Sequence, residues 1–515
     1  MGALMTDRLT SLDAMFLNFE HPHAPMHVAG LYIFEAKPEK AGRPGLNGLF
    51  STIEQRIGEV PRYRQRVVEV PFGLGHPVWI EDPDFDLTYH LRRAALPAPG
   101  GMPELLEYVA RVHARPLDRR RPLWEVYVIE GLEGGRMAMY SKVHHAMIDG
   151  ISGVDLATIL LDLDVDGRPA NPSAPRHVER APSGTQLVAG VAVEAVRGTA
   201  GAVLRALRHP RGIPGAVVGT VAGAATLQRL ANLLVPAPRS PLNAPVGAAR
   251  RIALVPISLK RAKAIKDALG GTINDVVLAA YGEAIDTFLE HRNEPHAEET
   301  YRVMVPVSVR TQQERGALGN KVAAMFVDLP VGPMPARRRL QAITRTMGDL
   351  KEKRQALAAE ALTALAGLAP ATLHGLAGRL EFANQRFVNT VLSNVPGPQF
   401  ALYSGGARLL ETYPLLPLTA NVAVVTCVTS YNGNLYFGVI GDYDAIPDVD
   451  VIGDGIRRGI DRLEMAAVEA TRGRRAVEDL GEPSPEAIIE EAPVNGKRRA
   501  TRSAAGARGR RTAGR

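Results

Sequence analysis

The sequence predicts a mixed α/β protein, two α/β regions joined by a connector, and three observations predict it. The 515 residues exceed the roughly 250–300 at which a single core stops growing, so two cores are expected. Apolar residues recur at helical and at strand spacing in the first third of the chain and again in its second half. Between these regions, Pro182 to Ser240 contains no aromatic residue and little but Ala, Gly, Val, Leu and Arg. The expected organisation is a first lobe over 1–181, a connector over 182–240, a second lobe over 241–475 and a disordered charged tail over 476–515.

In the first lobe, Leu46, Leu49, Phe50, Ile53 and Ile57 recur at helical spacing, as do Leu105, Val109 and Val112 behind Pro103, a residue suited to a first helical turn. Strand-like runs cover Val28 to Phe34, Pro77 to Ile80, Glu125 to Ile129 and Met137 to His144. In the connector, Val193, Val196, Ala200, Val203, Leu204 and Leu207 fall on one helical face and Glu194, Arg197, Arg205 and Arg208 on the other. Two readings fit this basic amphipathic segment: a helical linker packed against the lobes, or a helix lying in a lipid interface. The second lobe opens with a helix over Ser258 to Leu269, stopped by Gly270-Gly271. A new helix follows from Thr272, whose spacing to Asp275 is that of a capping box. Strand-like runs follow at Val303 to Val309, Val322 to Leu329, Val388 to Leu392, Val422 to Thr429 and Leu435 to Ile440, with helical runs near Arg339 to Leu365 and Asp448 to Ala470. Beyond these, six acidic residues over 478–491 give way to eight basic ones over 497–515, a composition that does not build a core.

Composition narrows the function classes. One cysteine excludes a disulfide framework and a cysteine-based zinc site, and that residue, Cys427, sits in an apolar run as a buried structural thiol. The net charge is +7, of which the connector carries +5 and the tail +2, so the two lobes are neutral. That distribution argues against nucleic acid as a partner and favours reversible contact with an anionic membrane or lipid-droplet surface. The chain opens without a basic segment followed by an apolar one, and the uncharged stretch Gly212 to Gln228 is short of the roughly 20 apolar residues of a spanning helix. The expected location is cytoplasmic.

The chemistry is concentrated where the strand Met137 to Val143 runs into His144-His145-Ala146-Met147-Ile148-Asp149-Gly150. Side chains alternate along a strand, so Val143 and His145 are expected on one face and Lys142 and His144 on the other, with His145 projecting into a cleft between layers. A partly buried neutral imidazole there is suited to removing a proton near pH 7. Asp149 is placed to pair with an arginine and hold the turn, and Gly150 lets the chain bend into the next helix. Adjacent histidines on a strand diverge, and no third ligand is implied, so no metal is expected. His21, His23 and His27, interleaved with prolines, read as an ordered loop rather than a metal cluster.

The segment His144 to Gly150 resembles the H-H-x-x-x-D-G signature of the chloramphenicol-acetyltransferase-like, CoA-dependent acyltransferase superfamily. Around it, in order, stand Leu12-Asp13-Ala14-Met15-Phe16-Leu17, Pro25-Met26-His27-Val28-Ala29-Gly30, Trp79 to Asp86, Arg121-Pro122-Leu123-Trp124-Glu125 and Ile129 to Leu132. Downstream come Leu242 to Pro245, Thr272 to Ala279, Pro306 to Arg310, Leu318-Gly319-Asn320 and Ser393-Asn394-Val395-Pro396-Gly397-Pro398. Together they resemble the bacterial wax ester synthase/diacylglycerol acyltransferase family, from about Leu9 to Ala470.

The resemblance implies two chloramphenicol-acetyltransferase-like α/β sandwich lobes with an active-site channel between them. His145 is then the general base, taking the proton of an alcohol hydroxyl as the oxygen attacks an acyl-CoA thioester, with no covalent acyl-enzyme and no cofactor beyond acyl-CoA as co-substrate. The implied acceptor is diacylglycerol, giving triacylglycerol, or a long-chain fatty alcohol, giving wax ester; a carrier protein is the alternative acyl donor, as in condensation domains. His144 belongs to the same catalytic motif. Asn274, in the first turn of a helix, is the candidate oxyanion donor, Asp275 the capping partner of Thr272, and Arg310 the partner of Asp149. Pro122, Leu123 and Trp124 shape scaffold or acyl channel, and Ser393 and Asn394 border the channel.

Overall fold

The computed structural model describes residues 7–35, 46–148, 159–168, 182–190, 236–295, 300–308, 322–355 and 387–479. The first half of the chain supplies β1 (Asp7–Arg8), α1 (Ser11–Phe19), β2 (His27–Phe34), α2 (Leu46–Arg56), β3 (Gln65–Val68), β4 (Val78–Glu81), α3 (Leu87–His90), β5 (Leu91–Ala95), α4 (Met102–His113), β6 (Trp124–Leu132), β7 (Arg136–His144) and the single turn α5 (His145–Ile148). The second half supplies β8 (Arg250–Ser258), α6 (Leu259–Leu269), α7 (Ile273–His291), β9 (Thr300–Ser308), β10 (Val322–Pro330), α8 (Ala336–Gln355), β11 (Thr390–Val395), β12 (Tyr403–Ser404), β13 (Ala407–Leu415), β14 (Val424–Tyr431), β15 (Asn434–Asp442) and α9 (Val449–Asp479).

The helix ends follow their local chemistry. Thr10 and Asp13 close a capping box on α1, and Thr272 and Asp275 do the same on α7, where Asp275 accepts from the Thr272 N–H at 2.9 Å. Pro103 lies in the first turn of α4, where its missing N–H leaves no bond unmade. Gly270, at φ 89°, ends α6 in a conformation that a side chain would resist.

The strands form two six-stranded sheets and a small three-stranded one, β1-β4-β3. The first large sheet runs β12-β13-β2-β7-β6-β5, the second β10-β9-β11-β14-β15-β8. In the first, β7 lies between antiparallel neighbours β2 and β6 and is buried from Met137 to His144. In the second, alternate residues of β14 and β15 enter different cores. Val424, Val428 and Val439 pack with α7, α8 and α9, while Val425 and Ile440 join the core that holds β2, β6 and β7. Burial of both faces explains the run of Val422 to Val428, apolar but for Thr426.

Sheet membership does not follow chain order. The pair β12–β13 belongs to the first sheet, Tyr413 pairing with Leu31 and Leu415 with Ala29, although sequence reading found no strand there and assigned the region to the second lobe. Here β13 also crosses β15 so closely that a Cβ on Gly438 would stand 2.1 Å from the Pro414 carbonyl oxygen. The remaining strands and helices read from sequence are present, with β11 beginning at Thr390 rather than Val388. The amphipathic connector face, Gly212 to Gln228, the helical run beyond Gln355, Leu318 to Asn320 and the charged tail beyond Asp479 lie outside the described residues. Among the described residues no helix is long and apolar enough to cross a membrane.

Candidate active site

The site is built at the end of β7. The strand stops at His144 and the backbone turns into α5 at once, with His145 opposite Met26, the next position in the β2–β7 register. The turn is held by main-chain bonds. The His144 N–H donates to the Leu123 carbonyl at 2.9 Å, and the His145 N–H donates to the Met26 carbonyl at 2.8 Å. The His145 ring stacks on Phe16 of α1, with centroids 3.7 Å apart and planes 22° from parallel. Its Nδ1 is buried and has no hydrogen-bond partner among the described residues. Burial against the aromatic face, assisted by His144, lowers its pKa to about 4, so the ring is neutral at pH 7 and able to accept a proton.

His144 plays a different part. It is wholly buried, and its Nδ1 accepts the Ala146 N–H at 3.1 Å, which assigns the remaining ring proton of the neutral form to Nε2. That nitrogen faces Glu20 Oε1 at 3.6 Å, an electrostatic contact longer than a hydrogen bond. Glu20 also accepts the Met26 N–H at 3.3 Å and takes the Arg119 guanidinium at 2.7 and 2.9 Å. Burial by itself would raise the Glu20 pKa, but His144 and the Arg119 cation outweigh it and bring it down to about 2.

A layer of buried polar groups lies around this turn. His27 is not in a loop with His21 and His23 but opens β2 beside His144, donating from Nε2 to the His113 carbonyl at 2.6 Å. His113 meets the Tyr140 hydroxyl at 2.8 Å, and burial, with the nearby Arg250 and Lys142 cations, lowers its pKa to about 3. Lys142 is buried between Glu125, at 3.1 Å, and the carbonyls of Val112 and Arg115. From the second half of the chain, Arg250 of β8 donates to the carbonyl of His23, anchoring the loop that delivers Met26.

The other sequence-predicted residues separate into groups. Leu123 and Trp124 are fully buried; Trp124 stacks on His90 at 4.6 Å and donates to the Tyr63 carbonyl at 2.7 Å, so its contacts are those of a core residue, and Pro122 before them is buried too. Asn274 lies in the first turn of α7, where its Oδ1 accepts from Asn394 at the end of β11 at 3.2 Å, bringing two of the predicted residues together. Asp275 is the capping partner expected. Ser393 is buried and bonds to Cys427, whose thiol burial pushes up to about 12. Asp149, Gly150 and Arg310 lie outside the described residues, so their pairing is not described. Among the described residues no cluster of three or more His, Cys, Asp or Glu is arranged for a metal. Sequence reading missed Glu20, Arg119 and the stacking role of Phe16; the one signal was an acidic residue set directly before a histidine-proline loop.

Comparison with known proteins gives the family. The wax ester synthase/diacylglycerol acyltransferase catalytic domain matches residues 9–277, and the C-terminal domain of the same family matches 318–464. A Mycobacterium tuberculosis protein named "probable diacylglycerol O-acyltransferase" is 36% identical over 466 residues, covering 89% of this chain and 99% of its own. The solved structure of the wax ester synthase/diacylglycerol acyltransferase from Marinobacter aquaeolei VT8 is 29% identical, with a TM-score of 0.64 over 90% of this chain and 99% of that one. The first condensation domain of the CDA synthetase, 17% identical with a TM-score of 0.54 over 90% of this chain and 97% of its own, shares the fold. A chain that carries His144-His145 at a braced strand end on this fold, and matches both domains of one family, is an acyltransferase of the wax ester synthase/diacylglycerol acyltransferase family.

Proposed function

We propose that this acyltransferase moves a long-chain fatty acyl group from acyl-CoA to the free hydroxyl of diacylglycerol, with His145 as general base. The observation that carries the mechanism is a neutral imidazole fixed against Phe16 at the end of a strand, with a backbone that cannot drift because Met26 and Leu123 hold it. His145 takes the hydroxyl proton as the oxygen attacks the thioester carbonyl, then returns it to the departing CoA thiolate, so both bonds change without an acyl-enzyme. A base of low pKa is never blocked by protonation at neutral pH, and the imidazolium it forms is a strong acid toward the thiolate. The relatives named as diacylglycerol O-acyltransferases support the diacylglycerol acceptor. The double name of the Marinobacter structure supports long-chain alcohol as a second acceptor. Asn274, tied to Asn394, is the proposed oxyanion donor. The basic connector supports reversible attachment of a cytoplasmic protein to an anionic membrane or droplet surface.

The test offers palmitoyl-CoA with dioleoylglycerol and hexadecanol together and separates the products by thin-layer chromatography. Triacylglycerol is expected to dominate, and His145→Ala to lose about 10²–10⁴-fold in rate while remaining folded. Equal activity in the variant would sink the mechanism, and wax ester alone would reassign the acceptor.

A further inference from the structure

We infer that Glu20, clamped by Arg119, is a positioning residue for the reaction, fixing the His144–His145 corner from outside the signature motif. The inference rests on the proposed role of His145 as base.

Apart from the Leu123 carbonyl, which holds the His144 N–H, the restraints on that corner lead back to this one carboxylate by short paths. Glu20 accepts the Met26 N–H, and Met26 in turn accepts the His145 N–H through its carbonyl. Glu20 faces the Nε2 of His144, whose Nδ1 accepts the Ala146 N–H on the far side of His145. Arg119, besides holding Glu20, donates to the Leu17 carbonyl at 2.6 Å, next to the Phe16 on which the His145 ring lies. The backbone before His145, the backbone after it and the aromatic face beneath it are thus referred to a single anion. The anion is not a surface ion pair of small effect: its side chain is 10% exposed, with donors on both oxygens. Glu20 touches no substrate in this scheme. It acts by keeping the base in register, where misplacement by about 1 Å can lower a rate about 100-fold.

Glu20→Gln keeps the shape and the acceptor for Met26 while removing the charge that Arg119 and His144 face. The expected result is a fall of about 10- to 100-fold in kcat, with KM for palmitoyl-CoA and for dioleoylglycerol each within about twofold. Glu20→Asp, which restores the charge one methylene short, is expected to recover part of the loss. In a His144→Asn background, where the Asn oxygen can still accept the Ala146 N–H, Glu20→Gln is expected to cost less than about threefold more, because the two residues act on one corner. A purely structural salt bridge would instead lower the melting temperature, leave kcat per folded molecule unchanged and add independently to His144→Asn; any of the last two results overturns the inference. His145→Ala run alongside separates the two ideas. An inactive His145→Ala with a fully active Glu20→Gln removes only the positioning role, whereas an active His145→Ala removes the base on which it depends.

Discussion

The two large sheets have the same number of strands but bury opposite kinds of residue at their centres. In the first, β7 and its neighbours enclose His27, His113, Lys142, Glu125 and His144, each with a specific polar or charged partner. In the second, the central strands β14 and β15 are largely apolar, their end marked by Asp442 facing Arg250 of β8 at 3.8 Å, and the other buried charges lie in the helical layer, where Arg339 bridges Glu283 and Asp286 and Arg462 meets Glu283 again. Polar groups at a sheet centre are costly to bury and need exact partners. Their concentration around one strand end marks where the fold invests in position, whereas the second sheet invests in packing.

This contrast can be broken from either side. The largest effect is expected from Arg339→Met, which leaves two carboxylates buried with one remaining cation between them. We expect a loss of about 3 kcal/mol in urea unfolding, with acyl transfer per folded molecule unchanged. A large change in kcat would show that the helical layer of the second sheet also sets the site. Acid comes next. His113 and His145 have folded pKa values of about 3 and about 4, below the ordinary value of 6.5, so below pH 6.5 the unfolded chain binds protons that the folded chain refuses. Stability is complete above pH 6.5 and is expected to fall by about 2 kcal/mol per histidine on going to pH 5. Double replacement by residues that do not titrate, His113→Gln with His145→Gln, is expected to reduce that slope by their share, leaving the part due to His27 and His90, whose pKa values burial also lowers; an unchanged slope would assign it elsewhere. Glu20 contributes only lower, between pH 4.5 and about 2, where its protonation releases Arg119. The smallest effect belongs to Cys427. Its buried thiol is expected to resist aromatic disulfide reagents in the native protein and to react once urea unfolds it, and Cys427→Ala to cost about 1 kcal/mol with no loss of activity. Rapid native labelling would show that the second sheet's core opens.

The elements that sequence reading recovered are those whose signal is local. The alternation and apolarity of β2, β6 and β7 and the capping box of α7 depend on neighbours a few residues away. What it missed depends on distant ones. Residues 407–415, Ala-Arg-Leu-Leu-Glu-Thr-Tyr-Pro-Leu, mix charge with apolar residues and end near a proline; they become a strand because β2 offers an edge on one side and β15 packs on the other. Glu20 is an ordinary loop acid until Arg119, 99 positions away, buries it. His145 was singled out from its place at a strand end, and its stacking on Phe16, a residue 129 positions away, came only with the fold. The end of this strand at His144 was legible in the sequence. Leu123 and Trp124, read as scaffold or channel, took the core positions that their size and apolarity favour.

The pairing of Leu31 with Tyr413 also has a consequence in time. These strands are separated by about 380 positions, so at about 5–20 residues per second the edge of β2 waits roughly 20 to 80 seconds on the ribosome for its partner. Once β7 is made, the histidine strand waits in a sheet whose β2 edge is open, the kind of surface that recruits stray strands. The motif is therefore made early and completed late, and a polypeptide cut short before Ala407 would carry both histidines with β2 left as an uncovered edge.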